Sequence, residues 1–336
     1  MLVKFIAVDN KVQIDDNYDY INKIYRSIDL GGLIKSLEID SDAAAFGAGA
    51  IREVDDEGSV FLLEFKGNEG EKSNKWSIYF VYGTYINSKQ LEVSIYSNSY
   101  SPSIENIYLE KLKLVIKKSL SREWEKIIWL ADKDSECLSI QLYSKIYKVE
   151  NLMRKVINEV MTRQYGIIWW DTFVPANIRK KHSDRLKEYK MKVPAFRDVD
   201  ERLMSIDVDD LGTLVKLKRY KWNPVFDEKI SAYISGVQSY NDGSVREGLL
   251  KQKVLEVDLW KEQFAKYLPE DFNDRYAVFT KDRNHVMHNK LIDRGAFKTI
   301  NDSVEQIEED LVKAIKKIQN EILSNEEKFE IEIQRV

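Results

Sequence analysis

The pattern that restricts this chain most lies within residues 142–165, where Leu142, Ile146, Val149, Met153, Val156 and Val160 recur at steps of three and four. That period draws one apolar stripe along a helix and leaves the other side polar, so the segment must bury one face against other elements. Within it Glu150 and Arg154 stand four residues apart, the spacing of an ion pair on one helix face. Gly166 follows as a stop signal, and Ile167, Ile168, Trp169 and Trp170 then supply bulk that anchors the chain to a core.

Before Pro102 the period is two instead. β-branched and aromatic content predicts strands over residues 2–8, 60–65, 76–82 and 91–96, with a short helix over 18–28 closed by Gly31 and Gly32. The small-residue segment 43–50 suits close packing against a sheet. It has neither the lysine of a phosphate-binding loop nor the spacing of a dinucleotide fingerprint.

After Pro102 the apolar period becomes helical. Helices are expected over 104–119 and 123–130, as one long or two consecutive helices, and over 142–165, 178–190, 247–267 and 272–290, with a short helix behind the acids of 206–217. A final helix over 303–323 is signalled by Ser303 and Gln306 in capping-box spacing, and residues 329–334 alternate like an edge strand. The fold class is therefore α+β, a small β-rich domain over 1–103 followed by an all-α bundle over 138–323. Residues 104–137 are connecting helices and 324–336 a tail. The β-rich part is read as a sensor or regulatory module.

Composition narrows the setting. Of 336 residues 43% are hydrophobic, enough for two domains, and no apolar run approaches the roughly 20 residues of a membrane span. No signal peptide is evident, which leads to the expectation of a cytoplasmic protein. The single cysteine, Cys137, rules out an internal disulfide framework. With 56 acidic and 52 basic residues there is no domain-wide positive field, so contact with nucleic acid would need a local patch. Arg179, Lys180, Lys181, Arg185 and Lys187 form one candidate, and Lys216, Lys218, Arg219 and Lys221 another. As solvated loops such runs carry no function.

The chemistry-bearing stretch is residues 281–290, which holds two of the three histidines beside an arginine and two asparagines. On a helix Asn284 and His288 share a face, and Arg283 sits next to it. The rise from Arg283 to His288 is about 7.5 Å, so guanidinium, carboxamide and imidazole can converge on one anionic group. The same residue types also make caps and surface pairs. His285 with His288 has a metal-compatible spacing but lacks an acidic third ligand apart from Asp282 and Asp293, and no metal is expected. Asp207, Asp209 and Asp210 invite a metal, yet acids ahead of a helix more simply cap its amides. His182 is read as a surface residue.

The motif Arg283-Asn284-x-x-x-His288, on a helix followed by one more amphipathic helix, resembles the signature of the HEPN superfamily: arginine, a polar residue, variable residues, histidine. Three further features are similar to a branch of that superfamily found in prokaryotic defence and toxin proteins: Tyr147, Glu150, Arg154 and Ile157 in order; Tyr165–Gly166 with Trp169 and Trp170; and Asp207 through Leu217 leading into Trp222. The resemblance covers residues 138–323, and nothing comparable covers 1–103.

The resemblance implies an all-helical bundle that forms a homodimer, its two motifs facing each other across a cleft, and a metal-independent endoribonuclease without cofactor. Arg283 would hold or polarise the scissile phosphate, Asn284 would position it or the neighbouring helix, and His288 would act as general base or acid toward the RNA 2′-hydroxyl, leaving a 2′,3′-cyclic phosphate. Glu150 and Arg154 would organise the cleft, with Arg154 the nearer to phosphate, and His285 would modulate the site or bind RNA. An imidazole exchanges protons near neutral pH while arginine keeps its charge and donor fork, so this chemistry needs no metal ion. The expected role is that of a toxin or abortive-infection effector, with an antitoxin or phage trigger as further partners. The alternatives are a non-catalytic HEPN scaffold that binds nucleic acid, or the HEPN partner of a nucleotidyltransferase.

Overall fold

Alternation in Val3–Asp9 (β1) buries Val3, Phe5 and Ala7 completely and turns the intervening residues to the other side. The computed structural model describes residues 1–9, 19–20, 51–53, 60–69, 72–97, 108–192, 195, 199–222 and 254–321. Around β1 it forms a six-stranded sheet with Ile51–Glu53 (β2), Val60–Glu69 (β3), Lys72–Tyr85 (β4), Ser88–Ser97 (β5) and Lys126–Asp132 (β6). The order is β2-β3-β4-β5-β1-β6, every pair antiparallel, with Phe5 opposite Val93 on one side and Trp129 on the other.

One face of this sheet is closed by Tyr108–Leu120 (α1), whose Leu109, Leu112, Ile116 and Leu120 recur at helical steps and join the core of Phe5, Ile78, Phe80 and Val93. Full burial of each such side chain contributes about 1.5–3 kcal/mol, so Phe80→Ala would cost about 3–5 kcal/mol through the lost transfer energy and the cavity left behind.

The expected helix over 123–130 is instead strand β6. Its run of Ile127, Ile128 and Trp129 is β-branched and aromatic, and Phe5 stacks on Trp129 at 4.7 Å. The strand passes without a loop into Lys133–Tyr165 (α2), a helix that starts nine residues before the expected 142. Asp132 caps it, accepting the N–H groups of Asp134 and Ser135 at 3.1 and 3.2 Å. The same carboxylate takes Lys113 Nζ at 2.7 Å, and Lys113 also lies 3.7 Å from the buried Asp134.

The chain divides into two compact units, Met1–Leu142 with His288–Lys298, and Tyr143–Met287 with Thr299–Val336. The change of period at Pro102 is thus not the boundary: α1 and β6 complete the sheet unit, because the sheet needs a covering helix and β1 a second partner. The late segment is tied to that unit by named contacts. Ile292 is 2% exposed and donates its N–H to Ser135 Oγ at 2.7 Å, and Arg294 pairs with Glu110 and lies 3.6 Å from Asp134.

The second unit contains most of α2, then Trp169–Phe173 (α3), Ala176–Lys192 (α4), Val208–Val215 (α5), Phe272–Met287 (α6) and most of Arg294–Asn320 (α7). Gly166, at φ 72°, ends α2 in the left-handed region that glycine enters without strain. α2 and α7 run parallel: Lys145 reaches Asn301 and Glu305 at 2.6 Å, Lys148 reaches Glu308 at 2.6 Å, and Arg163 donates to the Ile318 carbonyl. Their buried stripes, Ile146 to Val160 and Val304 to Ile318, supply the core.

This unit is not wholly helical. Lys218–Trp222 (β7) and Val254–Asp258 (β8) form a two-stranded antiparallel ladder, and Trp260–Phe264 is a single π-helical turn, where a helix over 247–267 was expected. Val254, Leu255 and Val257 favour a strand once β7 is available as partner. The last helix starts at Arg294, not Ser303: Asp293 Oδ1 accepts the N–H of Ala296 at 2.7 Å, and Phe297 and Ile300 extend the apolar stripe toward the N-terminus. The expected segments 43–50 and 329–334 and most of the expected 18–28 helix lie outside the described residues. Among those described, no helix is long and apolar enough to cross a membrane.

Candidate functional site

Glu150, on the inward side of α2 and only 7% exposed, is the centre of a charged network in the second unit. Its Oε1 accepts Arg283 Nε at 2.8 Å from α6, and its Oε2 accepts an Arg154 Nη at 3.2 Å from the next turn of α2. Arg154 is further fixed by donation from Nε to the Leu203 carbonyl at 2.9 Å and from its other Nη to Asn151 at 3.3 Å. Arg283 in turn donates to Asn284 Oδ1 at 3.1 Å. Two guanidinium groups on one carboxylate leave one net positive charge, held in place from two helices. The Arg283 side chain is 27% exposed against 15% for Arg154, so Arg283 presents the larger surface to a soluble anion.

The network rests on Tyr276, whose hydroxyl faces the Val208 carbonyl at 3.4 Å. Burial, and then the charge of Glu150, hold that phenol well above its ordinary range. Tyr276 belongs to an aromatic series with Phe272 and Phe279 at 5.7 and 5.5 Å. α5 approaches α6 closely here: a Cβ on Gly212 would stand 3.1 Å from the Tyr276 ring.

His288 takes a different place from the one expected. α6 ends at Met287, so His288 is the first residue past the helix, exposed, and Asn289 follows in the left-handed region at φ 52°. Asparagine tolerates that conformation and is a common terminator of this kind. His288 also opens the segment grouped with the first unit, whereas Arg283 and Asn284 belong to the second. The structure therefore joins Glu150, Arg154, Arg283 and Asn284 within the second unit. His285 is on α6 and half-buried; burial raises the carboxyl of Asp282, and the charge of His285 acts in the opposite direction.

The basic candidates divide. Arg185 is bidentate to Asp207, both contacts at 2.9 Å, and also donates to the Ser205 carbonyl at 2.8 Å. Lys181 reaches both oxygens of Asp210 at 2.8 and 3.1 Å. These two cations are thus spent on the acids that open α5. Asp207 is the N-cap residue, and Asp210 accepts its N–H at 3.1 Å. Arg179 donates to the Asp171 carbonyl at 3.1 Å, Lys180 is exposed on α4, Lys218 is exposed on β7, and Arg219 lies on β7 opposite Val257. Among the described residues, no three His, Cys, Asp or Glu side chains group as metal ligands.

His182 is not the surface residue expected. It is half-buried, its ring lies edge-on to Trp170 at 5.7 Å, and its Nδ1 is 2.6 Å from Ser205 Oγ. The Ser205 hydroxyl gives its one hydrogen to the Arg202 carbonyl at 2.9 Å, which assigns the ring proton to Nδ1. A second feature not read from the sequence is a cleft of about 390 Å³ between the far turns of α2 and the segment 200–203, lined also by Trp169 and Trp170. Its signal was present: Asn158 and Thr162 continue the four-residue steps begun by Glu150 and Arg154.

Fold and site define an α+β protein with a paired-arginine centre on a helical unit. No protein-family model, curated protein or solved structure matches the chain.

Proposed function

We propose that this protein is a metal-independent endoribonuclease of the HEPN type, acting as a homodimer in the manner of a toxin or abortive-infection effector. The observation that carries the reading is the fixation of Arg283 by the buried Glu150, with Asn284 beside it. A planar cation held before substrate arrives is suited to a phosphodiester, whose charge grows as the phosphorus becomes pentavalent.

In this reaction His288 accepts the proton of the RNA 2′-hydroxyl while that oxygen attacks the adjoining phosphorus. The bond from phosphorus to the 5′-oxygen breaks, the leaving oxygen takes a proton, and the products are a 2′,3′-cyclic phosphate and a 5′-hydroxyl. Arg283 stabilises the negative charge on the non-bridging oxygens. A second copy of the chain supplies the second imidazole, so that acid and base are present together.

One observation favours a second reading, a non-catalytic scaffold that binds nucleic acid: α6 ends at Met287, so His288 stands at the end of the helix and not within it. Incubation of the full chain with transfer, messenger and ribosomal RNA in EDTA separates the two. Cleavage with cyclic-phosphate ends, lost in His288→Ala and Arg283→Ala, is the expected result. A folded wild-type protein that leaves all three RNAs intact would overturn the ribonuclease reading, and RNA binding without cleavage would support the scaffold.

A further inference from the structure

On α2, Arg154, Asn158 and Thr162 follow one another at four-residue steps. At 1.5 Å per residue Asn158 stands about 6 Å and Thr162 about 12 Å along the axis from Arg154. These last two line the 390 Å³ cleft, together with Trp169, Asp200 and Arg202. Leu203 connects the cleft to the charged network, since it lines the one while its carbonyl fixes Arg154 of the other.

The chemistry of the lining is mixed. Thr162 donates its hydroxyl to the Asn158 oxygen at 3.3 Å, which leaves the Asn158 amino group as a donor. Asp200 contributes a largely exposed acceptor whose Oδ1 already takes the Arg202 N–H at 3.1 Å, and Arg202 a partly exposed donor fork that is held loosely, 3.7 Å from Asp200 and 3.5 Å from Asp171. An apolar ligand would cover the Asn158 amino group and the loosely held Arg202 fork without bonding to them, and a simple anion would meet Asp200 as repulsion. A nucleobase presents donors and acceptors on one edge and an apolar face, which is what this lining can take up. The volume is within the lower range of small-ligand clefts and suits one nucleotide, not a duplex.

The geometry points to this cleft as the site for one unstacked nucleobase of a single RNA strand, with the adjoining phosphate against Arg154 and Arg283. The strand's identity as substrate rests on the ribonuclease reading, whereas occupation of the cleft is a matter of binding alone. Asn158 and Arg202 then determine which base is accepted.

The test uses the full chain. The four nucleoside 5′-monophosphates, and short 2′-deoxy oligonucleotides that lack the attacking hydroxyl, are titrated calorimetrically and by tryptophan fluorescence. Expected is saturable binding with a base preference, weakened about tenfold in Asn158→Ala and in Arg202→Ala, each removing one or two hydrogen bonds. Thermal unfolding verifies that these partly exposed variants remain folded. Monophosphates that bind without the oligonucleotide place a free nucleotide in the cleft and overturn the strand assignment. No binding to wild type at millimolar ligand overturns the proposal, as does binding equal to wild type in both variants. Loss of binding in Arg283→Ala alone marks a phosphate site and overturns it too. Base-selective binding without RNA cleavage removes the ribonuclease reading and leaves the base site standing. Cleavage with binding and base preference unchanged in both variants does the reverse.

Discussion

Glu150 and Arg283 are 133 positions apart in sequence and meet at 2.8 Å. Because Glu150 also holds Arg154, removal of the carboxylate is a different change from removal of either arginine. Glu150→Ala removes the buried carboxylate shared by both guanidinium groups and is expected to cost about 3–5 kcal/mol, as breaking a buried pair does. Arg283→Ala leaves Glu150 still paired with Arg154, and the expected loss is smaller, about 1–2 kcal/mol. Urea unfolding of both variants measures the order, and equal losses would show that Glu150 is not the shared support.

Gly212 gives a test of sign. Glycine within a helix ordinarily costs about 1 kcal/mol relative to alanine, so Gly212→Ala should stabilise α5 on propensity alone. The new Cβ, however, meets the Tyr276 ring at 3.1 Å, and that ring is buried in the aromatic series of α6. Overpacking costs about 1–3 kcal/mol and wins, so the expected result is a lower melting temperature. A higher one would mean that Tyr276 moves aside freely.

Arg185 and Asp207 provide a pH-dependent contribution. The Arg185 hydrogen bonds hold the Asp207 carboxyl below its ordinary range, with the charges of Lys181 and Arg283 adding to the effect. A depressed folded-state value stabilises the native protein above the unfolded value, near 4, and that stability is lost as pH falls through the lower folded value. Arg185→Gln should therefore flatten this part of the curve, with a smaller stability difference between neutral pH and acid below 4. Unfolding measured across that window gives the slope, and an unchanged slope would remove the assignment.

The segment at Arg294 should act as a clasp within the first unit. Arg294→Gln removes the cation paired with Glu110 and leaves the 1% exposed Asp134 to Lys113, with an expected cost of about 1.5–3 kcal/mol. Hydrogen exchange at the Ile292 amide, which donates to Ser135 Oγ, should accelerate in the same variant. Protection equal to wild type would show that Ile292 is held by its side chain alone.

What the sequence disclosed follows from which interactions are local. The stripe of α2, the Glu150–Arg154 pair and the alternation of β1 are periodic within a few residues and were legible at once. Strand β6 was not, because Ile127, Ile128 and Trp129 are contiguous and only the partner β1, more than a hundred residues earlier, makes them a strand. The cap at Asp293 was obscured by the competing signal at Ser303, which lies inside the helix. The support that Leu203 gives Arg154 comes from a backbone carbonyl, which every residue possesses, so no side-chain pattern announces it. His288 was placed on a helical face by counting in fours, but the left-handed Asn289 marks where the count stops.

The chain enters the first unit twice, at Met1–Leu142 and again at His288–Lys298. During synthesis the sheet and its covering helix can collapse early, but Arg294 reaches Glu110 only after the intervening helical region has left the ribosome. Until then Asp134 and Glu110 wait without that cation. The last step of assembly in the β-rich unit thus depends on a segment made after most of the helical unit, and a nascent chain stalled before Lys298 would carry an unfinished first unit.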